Sequence, residues 1–99
     1  MGLSGFGQFS QSLAIEIDSS GNVYVAYILT NKIQKFTPTG TFITSWGKLG
    51  FGPGSFTTLG AIATDSSGNV YVADIGRGNN GVQKFTNNGI LSLHGELVD

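Results

Sequence analysis

Apolar and polar positions alternate with a period of two along most of this chain, and the alternating runs fall into two sets of four. The first set is "AIEI" (14–17), "NVYVA" (22–26), "KIQKF" (32–36) and "TFITSW" (41–46). The second is "AIAT" (61–64), "NVYVA" (69–73), "GVQKF" (81–85) and "ILSLH" (90–94). Period-two runs rich in β-branched and aromatic residues predict strands. No window carries apolar residues at i, i+3, i+4 and i+7, so no helix is predicted. The joints hold turn chemistry. "DSSGN" offers an Asp to bond its own backbone and a Gly for positive φ, and "TPTG" and "TNNG" are tight turns of the same kind. The expected fold is all-β, with eight strands in two four-stranded antiparallel meanders.

The two sets are copies. "DSSGNVYVA" runs from Asp18 to Ala26 and again from Asp65 to Ala73, 47 positions later. "GFGQFS" (5–10) aligns with "GPGSFT" (52–57) at the same offset, and "IQKFTPTG" (33–40) with "VQKFTNNG" (82–89) two positions further on. Aligning "TFITSWG" (41–47) with "ILSLHG" (90–95) sets His94 at the position of Trp46. The chain thus divides into a connecting segment (1–13), a first unit (14–47), a connection (48–60) and a second unit (61–99). Four strands in a period of this length match the blade of a β-propeller. A four-stranded sheet with apolar residues on both faces cannot cover both by itself, whereas blades stacked around an axis can. Two blades do not close a ring, and large exposed apolar faces are rare on monomers. Head-to-tail assembly of several copies into one ring is therefore expected. Copies this similar point to recent duplication or to reconstruction of a repeat ancestor.

The segments "GFGQF", "GPGSF", "DSSGNVYVAD", "NN" and "VQKF" together resemble the NHL repeat, known from six-bladed β-propellers. The resemblance covers nearly the whole chain, twice, and implies that three copies make one six-bladed ring. It departs from the family where Ser12, Ala14, Leu59 and Ala61 replace the usual Pro and Gly ahead of the first strand. It departs again at Tyr27, where the second copy keeps the family's Asp as Asp74. The family's Gly-Asn-Asn-Arg loop is Leu29-Thr30-Asn31-Lys32 in the first copy and "GRGNNG" (76–81) in the second. Family relatives include metal-dependent lyases with an axial metal and RNA-binding propellers, which are the alternatives to a non-enzymatic scaffold.

Composition narrows the chemistry. Charged residues are 11% of the chain, net charge is −1 and no Lys or Arg run occurs, which argues against binding nucleic acid or an anionic membrane. No signal-peptide pattern and no apolar run of membrane-spanning length is present, so a soluble protein is expected. One histidine and no cysteine leave no nucleophile–base pair, so no enzymatic activity and no cofactor are expected. Strand parity puts the loops joining second to third strands at the same end as the long connections joining fourth to first strands. A ligand-binding site is expected there, with Tyr27, Asn31, Lys32, Asp74, Arg77, Asn79 and Asn80 as its residues. Tyr27 would stack, the asparagines would hydrogen-bond and the charged groups would orient. This mixture suits a protein, peptide, carbohydrate or small polar ligand. Asp18 and Asp65 read as turn formers and His94 as a filler at the sheet edge. Glu16 is a carboxylate on a first strand where the second copy has Ala63, and it is a candidate metal or cation ligand near the ring axis.

Overall fold

The computed structural model describes residues 13–76 and 81–94, giving only the backbone of Leu93 and His94. Eight strands form two antiparallel four-stranded sheets, each in simple up-and-down order. Sheet 1 contains β1 (Leu13–Ile17), β2 (Val23–Tyr27), β3 (Lys32–Phe36) and β4 (Phe42–Trp46). Sheet 2 contains β5 (Leu59–Thr64), β6 (Val70–Asp74), β7 (Gly81–Phe85) and β8 (Leu91–His94). No helix occurs among the described residues. β5 begins at Leu59, which pairs with Asp74 ahead of an irregularity between Leu59 and Ala61.

The repeated "DSSGN" builds the same turn twice. The Asp18 carboxylate accepts hydrogen bonds from the Ser20 and Asn22 N–H groups at 3.0 and 2.9 Å, and from the Tyr24 hydroxyl at 3.0 Å. Asp65 does the same with Ser67, Asn69 and Tyr71, at 2.9 Å each. Gly21 and Gly68 take φ of 87° and 86°, a conformation side chains disfavour. The donors from Asn69, Tyr71 and Ser67 hold the Asp65 carboxyl down to about 2. Burial pushes the Asp18 carboxyl up, but the donors from Asn22, Tyr24 and Ser20 outweigh it and leave it below the usual carboxylate range. The same burial, with the bond to Asp18, raises the Tyr24 hydroxyl well above its ordinary value.

Carboxyls depressed in the fold stabilise it fully above their unfolded value of about 4, and that stabilisation disappears as pH falls through the folded values. We expect the thermal midpoint to hold near neutrality and to drop between about pH 4 and pH 2. Calorimetry across that range checks it. A midpoint unchanged down to about pH 2 would show that these bonds do not favour the ionised carboxyl.

Register sorts each sheet into two unlike faces. In sheet 1, Ala14, Glu16, Tyr24, Ala26, Ile33, Lys35 and Trp46 share one face, here called the tyrosine face. Ile15, Ile17, Val23, Val25, Gln34, Phe36 and Phe42 form the opposite, valine face. Sheet 2 repeats this, with Ala61, Ala63, Tyr71, Ala73, Val82 and Lys84 on its tyrosine face. Ile62, Thr64, Val70, Val72, Gln83, Phe85 and Leu91 lie on its valine face.

The core forms where the tyrosine face of sheet 1 meets the valine face of sheet 2. Tyr24, Ala26 and Ile33 pack with Val70, Val72 and Phe85, joined by Phe56 and Leu59 from the connection between sheets. The Trp46 ring lies 5.6 Å from that of Phe85 and edge-on to Tyr24 at 6.4 Å. It also covers Gly89, where an added Cβ would come within 2.5 Å of the indole. Lys35 is buried between the sheets, with Nζ donating to the Asn87 carbonyl at 2.6 Å and lying over the Tyr24 ring.

Each fourth strand carries one extra residue opposite the third, Ile43 in β4 and Ser92 in β8. The resulting register differs from the sequence alignment. Trp46 stands opposite Ile33, but His94 stands opposite Gln83, so His94 matches Ser45 and not Trp46. The sequence alignment placed its one-residue gap too early in the last strand.

Candidate functional site: the long-loop end

The connection 47–58 is bound to the loops between second and third strands, so both lie at one end of the sheets. Asn31 makes the first tie. It adopts φ of 58° and is buried, and its side-chain oxygen accepts the Leu59 N–H at 2.9 Å. Asparagine tolerates this left-handed conformation better than most residues. Gly47 crosses directly beneath it, where a Cβ would lie 2.6 Å from the Asn31 carbonyl oxygen.

Asp74 makes the second tie. Its carboxylate accepts the N–H groups of Thr57 (2.8 Å), Thr58 (3.0 Å) and Gly76 (3.0 Å), and the Thr57 hydroxyl (2.8 Å). Burial pushes this carboxyl up, but these four donors outweigh it and hold it below its ordinary range. Gln83, fully buried, makes the third tie by accepting the Gly54 N–H and donating to the Ser55 carbonyl, both at 2.8 Å. Phe56 then enters the core, edge-on to Phe85 at 6.1 Å.

These ties place the residues expected to bind a ligand. Asn31 and Asp74 are buried and occupied in holding the connection. Tyr27, the counterpart of Asp74, is buried at 8% exposure, donates its hydroxyl to Gln34 at 2.9 Å and is raised above its usual value by burial. Lys32 is exposed to solvent. Arg77, Asn79 and Asn80 lie outside the described residues. Tyr27 and Asp74 therefore shape this end of the molecule from inside, while Asn31 is largely buried but contributes to the wall of the cleft described next.

The open surface between the loops is a cleft of about 550 Å³ lined by Ile28, Leu29, Thr30, Asn31, Leu49, Thr57 and Thr58. Its leucine walls are bare, with Leu29 71% and Leu49 72% exposed. Phe51 and Ile75 are also exposed at this end. Sequence reasoning passed over Leu49, Thr57 and Thr58, although an exposed leucine inside a glycine-rich connection is itself a signal. The cleft offers apolar walls and hydroxyl groups, with no ionisable side chain among the described residues that line it.

Glu16 sits at the other end of the inter-sheet contact, where its Oε2 accepts the Thr64 hydroxyl at 3.4 Å. No group of three or more His, Asp or Glu side chains that could hold a metal ion occurs among the described residues. No helix there is long and apolar enough to cross a membrane. No protein-family model matches this chain, and a comparison with curated proteins finds no match either.

Proposed function

We propose that the chain is a non-enzymatic, self-assembling pair of NHL-type propeller blades, and that three copies close head to tail into a six-bladed ring. One observation carries this reading: the two sheets meet through unlike faces. The tyrosine face of sheet 1 is used up against the valine face of sheet 2, which leaves one valine face and one tyrosine face at the two ends of the pair. An interface between unlike patches repeats until rotation closes it. The open valine face of sheet 1 carries Ile15, Ile17 and Phe42, each more than half exposed. The long-loop end of such a ring would present its leucine–threonine cleft once per copy. That cleft suits a peptide bearing an apolar side chain, with threonine hydroxyls to meet the peptide backbone.

Light scattering tests the assembly. The expected mass is close to three times the 10.3 kDa of one chain. A stable, folded monomer at micromolar concentration would overturn the proposal, while a dimer or tetramer would change only the number of blades.

A further inference from the structure

The open tyrosine face of sheet 2 contains an apolar hollow of about 170 Å³ lined by Ala61, Ile62, Ala63, Tyr71, Ala73 and Val82. We infer that this hollow receives Ile15 and Ile17 from the valine face of a second copy of this chain, forming a contact more apolar than the one inside the chain. The inference rests on the head-to-tail assembly proposed above and specifies the surfaces that meet.

The contact within the chain supplies the template. On the tyrosine face of sheet 1, Tyr24, Ala26 and Ile33 are fully buried by sheet 2, whereas their counterparts Tyr71, Ala73 and Val82 are partly open. The difference between the two copies is directional. Inside the chain, Glu16 faces Thr64 across the sheets, a polar pair. By the repeat offset, the counterpart of Glu16 is Ala63 and that of Thr64 is Ile17. Both members have changed together, from a carboxylate and a hydroxyl to a methyl and a branched alkyl group. A carboxylate at residue 63 would be desolvated against Ile17 without a donor, and Ile17 against Glu16 would leave that carboxylate equally unmet. Each of the two surfaces therefore suits the other better than it suits the interior contact.

Size matches as well as polarity. The three alanines at 61, 63 and 73 make the depression, while Ile15 and Ile17 stand 53% and 58% exposed on the opposite end of the pair. The rim repeats a directional bond. Lys35 donates across the sheets to the Asn87 carbonyl, and its counterpart Lys84 lies over the Tyr71 ring in the same way. The counterpart of Asn87 is Pro38, whose carbonyl would accept from Lys84 of the next copy.

Because the chain lacks cysteine, cross-linking can read this contact directly. The double variant Ile17→Cys/Ala63→Cys is expected to give covalent multimers on oxidation, while each single variant stays uncross-linked. Covalent dimers from Ala63→Cys alone would show two tyrosine faces packed on each other and overturn the inference. So would a double variant that is oligomeric by light scattering yet resists a short bis-maleimide. A monomeric wild-type chain would instead defeat the assembly proposal itself, so the two failures are distinguishable. As a second measurement, Ala63→Glu is expected to raise the concentration for half-dissociation at least about 10-fold, and adding Ile17→Thr to recover most of that loss. An Ala63→Glu chain that assembles like the wild type would also overturn the inference.

Discussion

A Val72→Asp chain is expected to lose its folded sheet pair, with the β signal in circular dichroism gone at room temperature. Val72 is completely buried on the valine face of sheet 2, with Ile62 and Gln83 as its strand neighbours. The buried lysine of the inter-sheet contact, Lys35, is already bonded to Asn87. A carboxylate at this position would stand unpaired in an apolar layer, at a cost of about 3–5 kcal/mol. Typical domains have a total stability of about 5–15 kcal/mol, and one this small stands at the low end. The exposed substitution Ser66→Asp is the control and should change stability by less than about 0.5 kcal/mol. A Val72→Asp protein that retains its spectrum and a cooperative thermal transition would contradict the assignment of this face to the core.

Asp74→Ala is expected to be the most damaging polar substitution, costing about 2–4 kcal/mol by urea unfolding. It removes the acceptor of three backbone N–H groups and one hydroxyl, and leaves those donors without their partner in a partly enclosed site. Asp74→Asn, which keeps one acceptor oxygen, should lose less. Tyr27→Phe, which removes the hydroxyl that bonds Gln34, should cost only about 1 kcal/mol. The loss should also be local, so limited proteolysis of the Asp74→Ala protein should cut first within the connection 47–58. If Asp74→Ala and Tyr27→Phe proved equally stable, Asp74 would not be the residue that holds this connection.

Local structure was legible in the sequence because two copies reported it. Every strand lies within two residues of its expected position, and the Asp18 and Asp65 turns follow from side-chain chemistry a few residues long. What joins the sheets was not legible. "VYVA" is apolar on both sides, so period-two alternation cannot say which face meets which neighbour. Lys35 carries a charge and reads as exposed, yet a carbonyl from the other sheet and an aromatic ring let it be buried. Phe56 sits in a glycine-rich connection that reads as surface, and only the Asp74 and Gln83 ties explain its entry into the core. Two of the expected ligand residues, Tyr27 and Asp74, do not line the cleft, and Asn31 lines it while its side chain is bonded to the Leu59 N–H. Tyr, Asn and Asp in loops serve a ligand or the loop itself, and here the bonds of Tyr27, Asn31 and Asp74 go to the protein.

The position of Trp46 has an optical consequence. It is the single tryptophan of the chain, and its ring touches Phe85 and Gly89, which belong to the other sheet. Its indole N–H is buried with no hydrogen-bond partner among the described residues, so the fluorophore sits in apolar surroundings while the sheets are docked. Emission from this ring therefore follows the joining of the two sheets, whereas far-ultraviolet dichroism follows the strands. The molecule thus carries its own label for telling apart an intact pair from two sheets that have formed but drifted away from each other.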